Sequence, residues 1–311
     1  MRVTANTFPN SLSQHLTNLN IRQTRLNTQA ATGQRIQNPE DDPSSFHRVM
    51  DMQRDVRSLG QYQRNIQQLH DTATASYSNI KSLKKVLDRA QELTTRAGGL
   101  RSQDELNIFA EEVNQLIKSG VQIVNSRFRG DYLFSGTLTN QPPFIETNDG
   151  NGKVTAVTYQ GNTEVAEAEI SAGVKMGSSV PGGNSSGSGA RGVVTDSRSG
   201  ADLFNHLISL RDALLAGNVG SINTTISGQL GTDEDNLLIH VGINGANQAQ
   251  LEAAKSLADR EQLAMEGSIS NEADADLSQT IVKLTQTQTA YQAALQSGGK
   301  ILGQTLLDYL R

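Results

Sequence analysis

Apolar residues recur along much of this chain at alternating intervals of three and four, the spacing of helices packed along narrow seams. The pattern is clearest at the C-terminal end. From Asp274 onward the steps fall on Leu277, Ile281, Leu284, Gln288, Tyr291, Leu295, Gly298, Leu302, Thr305 and Tyr309, with Ile301, Leu306 and Leu310 widening the stripe. Glu272, Asp274 and Asp276 stand where a helix N-terminus favours negative charge. The run Thr285–Ala294 carries no charge, which suits a surface that meets protein. At the other end Leu12, Leu16, Leu19, Gln23, Leu26 and Ala30 repeat the spacing. The pattern predicts a chain that leaves through one amphipathic helix and returns through another.

Between them, Gly33 closes a helix or turn, Pro39 and Pro43 bar helix, and Asp42-Pro43 predicts a helix start, with Asp at the N-cap and Pro in the first turn. A helical signal then runs to about Ala97. Leu59, Ile66, Ala73, Ile80 and Leu87 lie seven apart, and Tyr62, Leu69, Ser76, Leu83 and Ala90 form a second row. Gly98-Gly99 ends it. A third helix is expected from about Asp104 through Leu106, Phe109, Val113, Leu116, Val124 and Phe128, forming a long antiparallel hairpin with the second.

The texture changes at Gly130. Residues 131–176 are rich in Thr, Gly and β-branched side chains, with Pro142-Pro143 and a turn signal from Asn148 to Gly152. Lys153–Tyr159 and Glu164–Ile170 read as short strands. Residues 177–192 are low-complexity and predict a mobile loop. Helix resumes near Asp202 (Leu203, Leu207, Leu210, Leu214), and a longer one is expected from about Val219 to Glu266, weakened by Gly228, Gly231, Gly242 and Gly245. The fold class expected is mainly α: a long antiparallel helical rod from the N- and C-terminal halves, with a small β-rich insertion between. The segments are 1–42 (assembly helix and turn), 43–130 (helical hairpin), 131–200 (insertion), 201–270 (returning helices) and 271–311 (C-terminal assembly helix).

Composition narrows the function. At 311 residues with 4% aromatic content, no Trp and mean hydropathy -0.44, the chain suits long helices with small-residue seams. A net charge of -5 makes nucleic acid a poor main partner. With no Cys there are no disulfides, Cys-ligated zinc or thiol nucleophiles. No apolar run is long enough to span a membrane, and no apolar stretch after Met1 marks a conventional secretory signal. Residues 1–39 hold four arginines and no acid, which superficially resembles a mitochondrial transit peptide. The matching C-terminal seam argues for assembly instead.

Candidate chemistry is sparse. His15, His47, His70, His206 and His240 are scattered without zinc spacing. Glu40-Asp41-Asp42 admits a cation site or an acid/base pair, but capping before Pro43 explains it with fewer assumptions. Gly187, Gly189 and Gly192 satisfy G-x-G-x-x-G, with Asp212 twenty residues on, yet a Ser/Gly run stands where a strand is required. No P-loop, nucleophile elbow or triad signature is present. No catalysis, cofactor or metal is expected.

Three stretches carry a family resemblance. Ala31-Thr32-Gly33-Gln34-Arg35-Ile36, followed by Asn38-Pro39-Glu40-Asp41-Asp42-Pro43, is similar to ATGKRI-NPSDDP. Tyr132 to Thr137 (YLFSGT), running on to Pro142-Pro143-Phe144, resembles an entry into a β domain. Leu284-Thr285-Gln286, Ala290 to Leu295 and Leu306 to Leu310 resemble an LTQ…ALQASL…SLLDFL ending. Together they resemble the flagellar axial proteins, most narrowly the hook–filament junction family (hook-associated protein 3). Flagellins usually carry RINSAADDAAG here, without the prolines. Gln34, Phe46-His47 and the loop 177–192 depart from the pattern.

The resemblance implies an extracellular structural adaptor at the hook–filament junction, secreted unfolded through the flagellar export channel. Its implied partners are hook-associated protein 1 below, flagellin above, further copies of itself in a ring, and a cytoplasmic export chaperone on the C-terminal helix; nucleic acid and membrane are not among them. The assembly interface expected comprises Leu12, Leu16, Leu19, Leu26, Leu277, Ile281, Leu284, Tyr291, Leu295, Leu302 and Leu306. Two readings stay open beside it: a flagellin-type filament subunit, and a ligand-binding or enzymatic protein with its site in the β insertion. Ordering two long terminal helices costs about as much as their seams return, so both ends are expected to fold only on assembly. Fast amide exchange across both ends of the dilute monomer is the expected result, and slow exchange there contradicts it.

Overall fold

The computed structural model describes the backbone of residues 7–99 and 101–309, and the side chains of residues 10–99 and 101–300. The chain is mainly α, with a small β-rich insertion in its middle. It divides into two compact units, Met1–Ser58 with Glu261–Arg311, and Leu59–Arg260.

In the second unit, the heptad rows of helix α2 (Pro43–Ala97) face inward. Ile66, Ala73, Ile80 and Leu87 are buried, as are Leu69, Leu83 and Ala90 of the second row. Ser76 is buried too, its hydroxyl without a partner. The helix passes Gly60 unbroken and ends before Gly98. Helix α3 (Gln103–Val124) starts at a capping box: Ser102 Oγ accepts from the Glu105 amide at 3.4 Å, and the Ser102 amide donates to Glu105 Oε2 at 3.0 Å. It presents Leu106, Ala110, Val113, Ile117 and Val124 to the core shared with α2 and with helix α4 (Leu203–Leu215).

Phe128, expected on α3, instead lies on strand β1 (Arg127–Phe128), paired antiparallel with β2 (Asp131–Tyr132). The turn between them places Arg129 at φ 54° and Gly130 at φ 100°, which a helix cannot continue through. Strands β3 (Phe144–Asn148) and β4 (Val154–Tyr159) form one antiparallel hairpin, and β5 (Glu167–Ser171) and β6 (Val174–Gly177) another. Phe144 carries the insertion onto the helices, its ring 5.7 Å edge-on from Phe204 and 5.1 Å from Tyr159.

The segment 177–192 corrects the expectation of a mobile loop. Residues 180–184 are buried. β7 (Gly183–Asn184) runs parallel to β8 (Thr195–Asp196), which pairs in turn with β9 (Ala201–Asp202). Asn184 organises the turn: its Oδ1 accepts from the Ser186 and Gly187 amides at 3.0 Å, and its Nδ2 donates to Ser188 O and Ala190 O at 2.7 Å. A side chain at Gly192 would meet Thr195 O at 2.1 Å. Glycine here permits close backbone contact rather than mobility.

The chain then passes through α4, the short turn α5 (Val219–Ser221) and a wide π turn (Ile222–Ile226) into α6 (Ser227–Ala273). The four glycines expected to weaken α6 lie within it, and a Cβ on any of them would meet nothing within 4 Å. Asn236 Nδ2 donates to Gly192 O and Val193 O at 3.0 and 2.9 Å, holding the insertion to α6. Phe204→Ala removes the ring that joins α3, α4 and β3, and is expected to destabilise the second unit by about 3–5 kcal/mol in denaturant unfolding.

Candidate assembly surface

The first unit is built around the point where the two ends of the chain meet. Helix α1 (Thr7–Thr32) closes at Gly33, whose φ of 74° turns the chain out of the helix. The emerging strand lies against the α6–α7 turn. The Arg35 amide donates to Ala273 O at 2.6 Å, and the Ala275 amide donates to Gly33 O at 2.7 Å. Arg35 Nη2 reaches Glu272 O at 2.6 Å, and Arg48 Nε reaches the Glu272 carboxylate at 2.9 Å. Glu272, expected near the N-terminus of the last helix, thus ends α6 and binds Arg48. Asp276 takes the capping role, its carboxylate accepting from the Gln279 amide at 3.1 Å.

Within the acidic triplet, Asp41 and Asp42 act as expected of a capping segment. Asp41 accepts from the Asn38 and Gln37 amides, which hold its carboxyl below the usual range, and pairs with Arg25 at 3.1 Å. Asp42 accepts from the Ser45 hydroxyl at 2.7 Å, the Ser45 amide at 3.1 Å and the Ser44 hydroxyl at 3.0 Å, and its pKa falls to about 2. Ile36, Leu26, Val49 and Ala273 are buried at this junction.

Helix α7 (Leu277–Tyr309) packs along α1 within the same chain. On α1, Leu12, Leu16 and Leu19 are half-buried and Leu26 is buried. On α7 the inward positions are Thr280, Leu284, Thr287, Tyr291, Ala294 and Gly298. This corrects the expected seam, which coincides with the observed one only at Leu284, Tyr291 and Gly298. Leu277, Ile281 and Leu295 are instead 48%, 54% and 47% exposed, and Gln288 is exposed with them. Leu302 and Leu306, also expected in the interface, lie outside the described side chains.

The register follows from side-chain size. A Cβ on Gly298 would lie 2.3 Å from Leu12 Cδ2, so glycine admits the leucine there. α1 supplies the knob where α7 is small, so Thr280, Thr287, Ala294 and Gly298 share the seam with Leu284 and Tyr291 while Leu277, Ile281 and Leu295 turn outward. Ile21, 63% exposed on α1, adds to this apolar surface, and sequence periodicity did not single it out. Among the described residues no cluster of metal-binding side chains occurs and no helix is long and apolar enough to cross a membrane.

Residues 3–139 match the model of the bacterial flagellin N-terminal helical region. Over 324 aligned residues, covering all of both chains, the sequence is 23% identical to flagellar hook-associated protein 3 of Salmonella typhimurium. A flagellar hook-associated protein of Vibrio parahaemolyticus superposes with TM-score 0.64 at 18% identity, over 75% of this chain and all of that one. FlgL of Bacillus cereus gives 0.56 at 19% identity, over 70% and 98%. Hook-associated protein 3 of Legionella pneumophila gives 0.60 at 12% identity, over 72% and 98%. The similarity to hook-associated protein 3 thus extends over the whole sequence, that to the flagellin N-terminal region over residues 3–139, and the fold is shared with the solved structures over about three-quarters of the chain.

Asp42 supplies a pH test. Its folded pKa is depressed, so its contribution is present above its unfolded pKa, about 4, and is lost as pH falls toward 2. Asp42→Ala is expected to lower the melting temperature at neutral pH and to flatten the decline in melting temperature between roughly pH 4 and 2.

Proposed function

We propose that this chain is a non-enzymatic adaptor of the bacterial flagellum, joining the hook, through hook-associated protein 1, to the flagellin filament. Full-length similarity to hook-associated protein 3 supports the junction role over that of a filament subunit. The observation that carries the mechanism is the outward face of α7. Leu277, Ile281 and Leu295 are about half exposed, and uncharged Thr285, Gln288 and Gln292 lie between the last two. Neighbouring subunits in a ring supply the missing wall, and the terminal helices complete their folding there.

In this reading, segments 1–42 and 271–311 are the assembly segments, 43–130 and 201–270 the helical body, and 131–200 an outward domain. The cysteine-free chain leaves the cell unfolded through the export channel. A cytoplasmic chaperone covers the C-terminal helix until then. Leu12, Leu16, Leu19 and Leu26 hold α7 in register, while Leu277, Ile281 and Leu295 meet the neighbour.

Deletion of the gene is expected to leave hooks without filaments, with flagellin shed into the medium. Hooks with no shed flagellin would make the chain the flagellin, and normal flagella would overturn the proposal. Leu295→Asp places a charge on the outward face without entering the α1 seam. The variant is expected to keep its second unit folded, with a circular-dichroism melt like that of the parent, and to be absent from purified hook tips.

A further inference from the structure

Helix α6 grips the insertion with three buried polar side chains, Asp233, Asn236 and His240, which stand three and four residues apart on one face. Asp233 accepts from the Asp202 amide at 2.8 Å and meets His206 Nδ1 at 2.7 Å. Asn236 and His240 converge on one peptide. Asn236 Nδ2 and His240 Nε2 each reach Gly192 O at 3.0 Å, while the Gly192 amide donates to Asp196 Oδ2 at 3.0 Å. A single peptide of the insertion is thus held from both sides, and its residue has no room for a side chain.

His240 is the member of this grip that can change charge near neutral pH. A carbonyl oxygen only accepts, so the imidazole proton sits on Nε2 and Nδ1 is left as a bare acceptor. The residue is 2% exposed, and Nδ1 has no hydrogen-bond partner among the described residues. A second proton there would be a donor with nothing to receive it, on a charge sealed from water. The surrounding charges do not relieve this. Arg191 and Arg198 of the insertion oppose a positive imidazole. Asp196 favours one, but its carboxylate already receives Arg198 Nη2 at 2.8 Å as well as the Gly192 amide. Asp233 is committed to Asp202 and to His206 of α4, and Lys84 of α2 to Glu234 at 3.0 Å and Asp88 at 2.6 Å. Burial above all holds the His240 pKa below its ordinary value.

We propose that His240 is an acid-released latch: once protonated it leaves Gly192 for water, and the β7–β9 sheet parts from α6. Strands β3 and β4 stay in place, because the Phe144–Phe204 ring contact and the bond from Arg211 to Val154 O involve no group that titrates in this range. Released, the imidazole takes up its proton near about pH 6.5; latched, it does so only at lower pH. The contribution of the latch is therefore complete above that value. Below it, release is favoured by up to about tenfold per pH unit, until the latched group is itself protonated. The latch concerns the insertion alone and does not depend on the junction role.

Amide exchange on the purified full-length chain tests it, read by mass spectrometry as protection relative to the intrinsic rate at each pH. Between roughly pH 7.5 and 5, protection over residues 183–202 is expected to fall about threefold or more, while that over Ile80–Leu93 of α2 holds. His240→Gln keeps an amide donor for Gly192 and removes the titration, so its protection is expected to be the same at both pH values. Undiminished protection over 183–202 in the parent overturns the inference. So does a fall shared by Ile80–Leu93, or one of equal size in His240→Gln. Where the glutamine variant does not dock at neutral pH, nitrogen NMR of the parent's His240 ring decides. Loss of protection that tracks its protonation, with a midpoint below about 6.5, supports the latch. Loss while the ring is still neutral, or a midpoint at or above that value, overturns it.

Discussion

The backbone hydrogen bonds joining residues 33–36 to residues 273–275 are the constraint on which the terminal unit depends. They connect positions more than two hundred residues apart, and they set where α7 begins relative to α1. Gly33 must turn out of the helix, Pro39 and Pro43 must keep the following segment from rejoining it, and Asp42 must start the next helix. The motif that resembles the junction family is thus the joint between the chain's two ends. Of its acids, Asp41 and Asp42 accept from backbone amides and pair with Arg25 and Arg35, and Asp42 also accepts from the Ser44 and Ser45 hydroxyls. Once that joint is made, antiparallel packing of α1 on α7 follows with little freedom of register.

Much of the fold was legible because helices declare themselves locally. The heptads of α2, the double glycine after Ala97 and the Asp42-Pro43 start all act through neighbours in sequence. The α7 seam was misread by one step of three residues. Pattern reading assumes that the largest apolar residues face the partner helix. Here Leu12 inserts at Gly298, so small positions of α7 face inward beside Leu284 and Tyr291, and Leu277, Ile281 and Leu295 are displaced. Only the identity of the partner's knobs settles such a register, and that information lies in α1. The 177–192 segment was misread for a related reason. Its glycines allow close approach to strands and to Asn236, contacts that composition does not encode.

Buried polar groups hold the insertion where the apolar pattern alone would leave it loose. Arg211, nearly fully buried on α4, donates to Val154 O on β4, and Asn114 Oδ1 accepts the Val154 amide at 3.2 Å. Asp196, also buried, accepts from the Gly192 amide at 3.0 Å and from Arg198 Nη2 at 2.8 Å. Each group satisfies a backbone amide or carbonyl of the insertion that would otherwise be buried without a partner. An apolar contact could slide by a residue at small cost. These directed bonds cannot, and they fix which surface the insertion presents.

The two units therefore differ in how completely they satisfy themselves. The second unit encloses a core of leucines, valines and phenylalanines, sealed by polar side chains with specific partners. The first has a seam in which threonine, alanine and glycine alternate with Leu284 and Tyr291 against the leucines of α1, while Leu277, Ile281 and Leu295 are about half exposed. The small residues of the seam bury little area, so part of the apolar area of α7 stays on those three half-exposed residues. The terminal pair is therefore held mainly by its joint at residues 33–36 and 273–275 and by a narrow seam, whereas the second unit is held by a closed core.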